Sequence, residues 1–169
     1  MTAAVLVTGM SGTGKSTVLA ELARRGHRVV DTDDPGWIVA APSPDGPEPV
    51  WDLDRVTALL DGHRSGWLFV AGCVANQGRL YDRFDAVVLL SAPLDVVLGR
   101  VRHRDNPYGS TAEDRARIAE DLARVEPLLR ARAGHEIATT ATIPVVADLL
   151  QRIAATAARP GHATVIARD

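Results

Sequence analysis

The chain has 169 residues, 46% of them apolar and 24% charged, with a formal net charge of −2. That length suits one globular domain able to bury about 70% of its unfolded surface, and the slight acidity excludes bulk attraction to nucleic acid or an anionic membrane. The single cysteine, Cys73, excludes an internal disulfide framework; no apolar run nears the ~20 residues that span a bilayer, no basic leader precedes the first apolar run, and the expected setting is cytoplasmic.

The apolar run Ala3–Val7 predicts a buried strand, and Ser16–Arg25, closed by Gly26, predicts a helix. Between them, Gly9-Met10-Ser11-Gly12-Thr13-Gly14-Lys15-Ser16 fits G-x-x-x-x-G-K-[ST], the phosphate-cradling P-loop, in its required strand–loop–helix setting. Gly9, Gly12 and Gly14 let the backbone turn tightly. Loop N–H groups then point at phosphate oxygens, helped by the positive end of the helix. Lys15 is the expected contact to the β and γ phosphates, and the Ser16 hydroxyl the expected Mg²⁺ ligand. Ser11, Thr13 and Thr17 complete the candidate nucleotide contacts.

Arg28–Asp31 predicts a second strand that ends in acid. Residues 34–50 crowd Pro35, Pro42, Pro44, Pro47 and Pro49 with Gly36 and Gly46, so no long regular element is expected there, only a mobile cover or a linker. A helix follows from Leu53 to about Asp61, with Asp52 as its cap. Trp67–Ala71 and Ala86–Leu90 are continuous apolar runs, as parallel strands covered on both faces require. A helix is expected from Pro93 to about His103, capped by Ser91, then a turn at Asp105-Asn106-Pro107-Tyr108-Gly109. Ser110-Thr111-Ala112-Glu113 reads as a capping box opening a long helix, which Glu126-Pro127 should kink or interrupt before Arg132. A weak strand near Glu136–Ala138 and a helix from Ile143 to about Ala158 complete the pattern. Alternating strands and helices predict a three-layer α/β/α P-loop NTPase fold with a five-stranded parallel sheet and a small helical lid. The expected organisation is one domain over 1–158, a lid at about 104–112 and a tail at 159–169.

In such a sheet ligands bind outside the carboxyl ends of the strands. Asp31 and Asp33 leave the second strand there; in extended backbone they face the same way, with Asp34 facing away. One carboxylate then supports Mg²⁺ while the other takes a proton from an attacking hydroxyl; the plain alternative is an acidic turn. Arg100 and Arg104 share a helical face leading to the lid, where cations stabilise a moving phosphoryl group, or form a solvated basic face with Arg102 and His103. Arg130 and Arg132 are a second such pair. Gly72 after the third strand admits close approach of a ligand, and Asn76 and Gln77 are placed to contact one or to cap a helix. Trp37 and Trp51 bracket the proline-rich loop, either to stack on a substrate or to pack the loop down. Cys73 reads as a small apolar residue, and the histidines show no zinc-ligand spacing.

The P-loop followed by Val30-Asp31-Thr32-Asp33 is similar to the shikimate kinase-like branch of P-loop small-molecule kinases, related to nucleoside monophosphate kinases. The resemblance implies ATP and Mg²⁺ as cofactors, Asp33 on the acceptor side and Asp31 on the Mg²⁺ side through water. Glu126–Arg130 followed by Ile137-Ala138-Thr139 resembles the family's arginine before the last strand and its adenine-side loop. That implies Arg130 on the substrate or transferred phosphate, and Thr139 to Pro144 beside the base. Arg100 and Arg104 stand for the lid arginines, and Arg55 for the carboxylate-binding arginine. The chain departs from shikimate kinases where Ala71-Gly72-Cys73 replaces a Gly-Gly-Gly run and Ala138 replaces an aspartate, so shikimate is not the expected substrate. No Asn-Lys-x-Asp guanine motif occurs, in agreement with ATP.

These features imply an ATP-dependent kinase acting on a hydroxyl or phosphate of a small molecule. The competing class is a nucleotide-binding switch acting through a protein partner. A kinase for nucleic-acid ends is disfavoured by the acidic balance.

Overall fold

Alternate residues of the first strand enter opposite cores: Ala3, Val5 and Val7 face one cluster, Ala4 and Leu6 the other. A strand buried on both faces needs helices on both sides, which the computed structural model provides; it describes residues 1–102 and 111–159. Five strands, β1 (Thr2–Thr8), β2 (Arg28–Asp31), β5 (Gly66–Ala71), β6 (Ala86–Ser91) and β7 (His135–Ala138), form one sheet in the order β2-β5-β1-β6-β7. All the pairings in it are parallel. Helices α1 (Lys15–Arg24) and α5 (Ile143–Ala157) cover one face. The other is covered by α2 (Leu53–Asp61), a 3₁₀ helix (Gln77–Arg83) and residues of a separate hairpin. The carboxyl end of β1 lies between the chain's excursions to β5 and β6, the switch point where an open sheet leaves a crevice. The three-layer fold with its five-stranded parallel sheet is therefore as expected.

The proline-rich stretch differs from the expectation. Strands β3 (Ile38–Ala41) and β4 (Glu48–Trp51) pair antiparallel, Ile38 opposite Trp51 and Ala40 opposite Pro49. Pro42, Pro44 and Pro47 fall in the connection; only Pro49 sits in a ladder, and a two-stranded ladder always offers an outer edge where no N–H is needed. Long-range contacts hold this short hairpin. Trp51 is buried, its indole N–H donates to the Thr32 hydroxyl at 2.9 Å, and the Asn76 amide accepts from Trp51 N and donates to Trp51 O. Trp51 is thus a core anchor and not a substrate platform.

Two helix expectations also need correction. Helix α4 runs unbroken from Ala112 to Arg132 through Pro127. The turn after the proline is retained because Leu129 is buried and Arg130 pairs back to Glu126 across it at 2.7 Å. Its cap is Thr111, whose hydroxyl accepts from Asp114 N, one residue later than the expected box. Asp52 caps α2 as expected, accepting from Arg55 N. Helix α3 spans Leu94–Arg102. Arg104, the Asn106-Pro107-Tyr108-Gly109 turn, Ser110 and residues 160–169 lie outside the described residues, so the lid and most of the tail do too. Arg159, the start of that tail, bridges to Thr2 and ion-pairs with Asp85.

Gly72 follows β5 where a Cβ would sit 2.3 Å from the Thr32 hydroxyl and 3.1 Å from the Trp51 ring. The close approach that needs glycine is made by the protein's own packing. Gly72→Ala is expected to cost about 1–3 kcal/mol of stability, read as a lower midpoint in urea unfolding at unchanged slope. On the other face Glu21 bonds Arg24 and Arg25, which together hold its carboxyl at about 2, below the usual 4.5. Its stabilising contribution is complete above pH 4.5 and lost as pH falls towards 2. Glu21→Gln should flatten the acid limb of thermal stability between pH 4.5 and about 2 and leave the slope near neutral pH unchanged.

Candidate active site

Helix α1 starts on Gly14, left-handed at φ 94°, with no side chain capping its first amide groups and no acidic residue in its first turn. The loop backbone and the positive end of this helix, which no side chain caps, make an anion site at the switch point. Gly9 is set by sterics: a Cβ there would lie 2.5 Å from the Leu90 carbonyl oxygen. The loop is braced from within, as the buried Thr13 hydroxyl donates to Met10 O at 2.8 Å and the Lys15 ammonium donates to the Gly9 and Met10 carbonyls. The helix thereby presents Ser16 and Thr17 outward.

Ser16 and Asp31 come together as expected: the hydroxyl donates to Asp31 Oδ2 at 2.6 Å. The second aspartate does not follow the alternation argument. The strand ends at Asp31 and the chain turns, with Asp33 N donating to Asp31 Oδ1 and Asp34 N to Asp31 O. Buried Thr32 pins the turn by donating to Ala71 O. Asp33 is exposed, and it is Asp34, expected to face away, that shares a hollow with Asp31, Ser16 and Trp37. Arg55 lies over the Trp37 ring, 4.9 Å from its centroid, beside that turn.

A cavity of about 550 Å³ adjoins the P-loop on its α3 side, lined by Gly12, Thr17, Arg100, Thr139, Ile143 and Val146. The expected nucleotide contacts Arg100 and Thr139 thus meet the loop. Arg100 joins them directly, donating to Gly12 O at 3.3 Å, to Thr139 Oγ1 at 2.9 Å and to Thr139 O. Such charge-assisted bonds hold the loop after β7 against the P-loop. Two apolar side chains and a glycine-rich edge leave room for a flat ring.

Other expected residues have structural work instead. Arg130 bonds Glu126 at 2.7 Å and Glu136 at 2.9 Å, clamping α4 to β7; both carboxylates raise its pKa, and Arg130 with the Ser91 hydroxyl lowers that of Glu136. The Asn76 amide is committed to Trp51. Gln77 is committed as well, accepting from Val74 N and donating to Thr8 Oγ1 and Tyr81 OH.

A second cavity, of about 520 Å³, opens at Met10 between Cys73-Val74, Tyr81 and one face of α4. Its α4 wall runs across Pro127, where the sequence predicts a kink or interruption. The spacing of Asp121, Val125, Leu128, Leu129 and Arg132 along one uninterrupted helix was the signal available. Among the described residues no cluster of three or more His, Cys, Asp or Glu could hold a metal, and no helix is long and apolar enough to cross a membrane. The Ser16–Asp31 oxygen pair nonetheless suits Mg²⁺, which takes one or two protein oxygens and fills its octahedron with phosphate and water.

Removing the Arg100 guanidinium breaks charge-assisted bonds worth about 1.5–3 kcal/mol each. Arg100→Met should therefore lower the thermal unfolding midpoint of the free protein, and should also weaken binding of a nucleotide in this cavity, measured by calorimetry.

A family model described as AAA domain matches residues 5–121. No curated protein matches the chain. Among solved structures, shikimate kinase from Acinetobacter baumannii in complex with shikimate is similar at 22% identity and TM-score 0.60, over 90% of this chain and 91% of that one. Shikimate kinase from Bacteroides thetaiotaomicron is similar at 17% identity and TM-score 0.59, over 89% and 97%. A sugar kinase from a Janibacter species is similar at 20% identity and TM-score 0.52, over 95% and 100%. The P-loop, the strand order and these likenesses agree on a three-layer P-loop fold shared with these kinases, and the chain belongs to the AAA domain family.

Proposed function

We propose that the protein is a cytoplasmic, ATP-dependent, Mg²⁺-assisted kinase that moves the γ-phosphoryl group to a hydroxyl or phosphate of a small molecule. The observation that carries this reading is that two cavities meet one P-loop at different residues. The first touches Gly12, Thr13, Gly14 and Thr17; the second touches Met10. A nucleotide switch needs the first alone, whereas a phosphotransferase needs a donor and an acceptor on either side of the phosphates.

In this reading the adenine lies between Arg100–Thr139 and Ile143–Val146, and the phosphates lie on the loop amides and the start of α1. Lys15 carries charge to the β and γ phosphates. Ser16 and Asp31 would hold Mg²⁺, which when bound neutralises phosphate charge. The acceptor oxygen attacks the γ phosphorus, a new P–O bond forms as the bridging P–O bond breaks, and ADP leaves with that electron pair. The acceptor proton passes to a carboxylate, which we assign to Asp33. Arg104 and Arg55 are assigned to the phosphoryl group and the acceptor on resemblance, and Arg130 supports the site through its clamp on β7.

Lys15→Ala and Asp33→Asn should each lower phosphoryl transfer by a hundredfold or more, but only Lys15→Ala should greatly weaken nucleotide binding. Purified protein with Mg·ATP is assayed for ADP release against a broad acceptor panel, with nucleotide affinity measured in parallel. Acceptor-independent hydrolysis across the whole panel would sink the kinase in favour of the switch. Equal loss of nucleotide affinity in both variants would remove Asp33 from the acceptor side.

A further inference from the structure

On the kinase reading above, we infer that the phosphoryl acceptor is an amphiphilic small molecule, with a hydroxyl at the P-loop end, an apolar body along α4 and one anionic group at Arg132. The acceptor-side cavity is walled on one side by Asp121, Val125, Leu128, Leu129 and Arg132. Their spacing puts them on one stripe of α4, and at 1.5 Å rise per residue the stripe is about 16 Å long. Charge sits at its two ends and the middle is apolar. Leu128 is 65% exposed, a large aliphatic side chain held over the opening. Val74 and Tyr81 face it from the other wall.

The polar groups near the middle of this groove are already used. The Gln77 amide accepts from Val74 N and donates to Thr8 Oγ1 and to the Tyr81 hydroxyl. A polyol entering here would surrender its hydrogen bonds to water without replacement, at a cost for each hydroxyl. An aliphatic or aromatic body gains from the same transfer. The walls therefore select against sugar-like acceptors, despite the fold's likeness to a sugar kinase.

The orientation follows from the charges. The α4 turn carrying Ile118 and Leu122 packs on Val97 and Val101, and those two valines abut Gly12 of the P-loop. Asp121 therefore marks the phosphate end and repels an anionic group there. Arg132 marks the far end. Its guanidinium lies 4.7 Å from the Tyr81 ring centroid and donates to Gly78 O at 3.3 Å. Both of these contacts are uncharged, so the fork is pre-oriented towards an anion it does not receive from them.

The test uses the full chain with Mg²⁺ and a non-hydrolysable ATP analogue, titrated calorimetrically with ω-hydroxy carboxylates from hydroxybutanoate to hydroxydecanoate. Affinity should rise about threefold to fourfold per added methylene until the groove is filled, and each methyl ester should bind about tenfold more weakly than its acid. Arg132→Gln should abolish the acid–ester difference without changing affinity for the ATP analogue. Leu128→Glu, at an exposed position, should abolish the gain with chain length. A flat series, equal binding of acid and ester, or tighter binding of glucose, inositol or nucleoside monophosphates would overturn the inference. Amphiphile binding with this pattern but no acceptor-dependent ATP consumption would support the groove's ligand class while the kinase reading failed. Phosphorylation of a polyol without amphiphile binding would do the reverse.

Discussion

Helix α1 opens on a left-handed glycine with no side chain capping it and no acidic residue in its first turn, so its positive end is directed at an anion. Any side chain on Gly9 would collide with the carbonyl at the end of β6, so loop and sheet edge are fitted to each other at backbone distance. That fit requires β6 beside β1, which in turn requires the crossover that places β5 on the other side. The apolar runs drive this arrangement, since strands buried on both faces are stable only inside a three-layer sandwich.

Around the anion site the protein divides its labour by wall. On the α3 side, Arg100 ties the loop after β7 to the P-loop and closes a pocket edged by aliphatic residues. On the opposite side the 3₁₀ helix and α4 leave a groove whose mid-section amide, Gln77, is consumed in holding the scaffold, while Asp121 and Arg132 stand at its ends. The small hairpin belongs to that scaffold. Trp51, Thr32, Gly72 and Asn76 form one interlocked contact that joins hairpin, β2 turn and β5 exit, and it determines where the acidic turn points.

Much of this was legible from local pattern. The strand–glycine loop–Lys-Ser–helix order, the five sheet strands and the Asp52 cap need only neighbours in sequence to be recognised, and Ser16 at the start of α1 meets Asp31 at the end of β2 along one sheet edge. The failures share a cause. Prolines over 34–50 argued against any long regular element and for a mobile cover or linker, yet contacts with Asn76 and Thr32 hold a short hairpin there. Pro127 argued for a kinked or interrupted helix, yet a buried Leu129 and the Arg130–Glu126 pair keep the last turn wound without interruption. Local propensity lost each time to partners distant in the chain or beyond the break.

What the sequence by itself determined is the phosphate loop, which must be contiguous because its amides work through backbone geometry set by neighbouring residues. It also determined the layer architecture, through runs of residues that could only be buried. Tertiary structure alone decided which polar side chains are available and which are spent. Arg130, Asn76, Gln77 and Gly72 all carried plausible ligand roles on composition and position, and all four are engaged by residues elsewhere in the fold. It likewise decided that an apolar stripe on α4 faces the P-loop across a groove. A side chain's hydrogen-bond capacity is finite, and only the folded chain reveals who has claimed it.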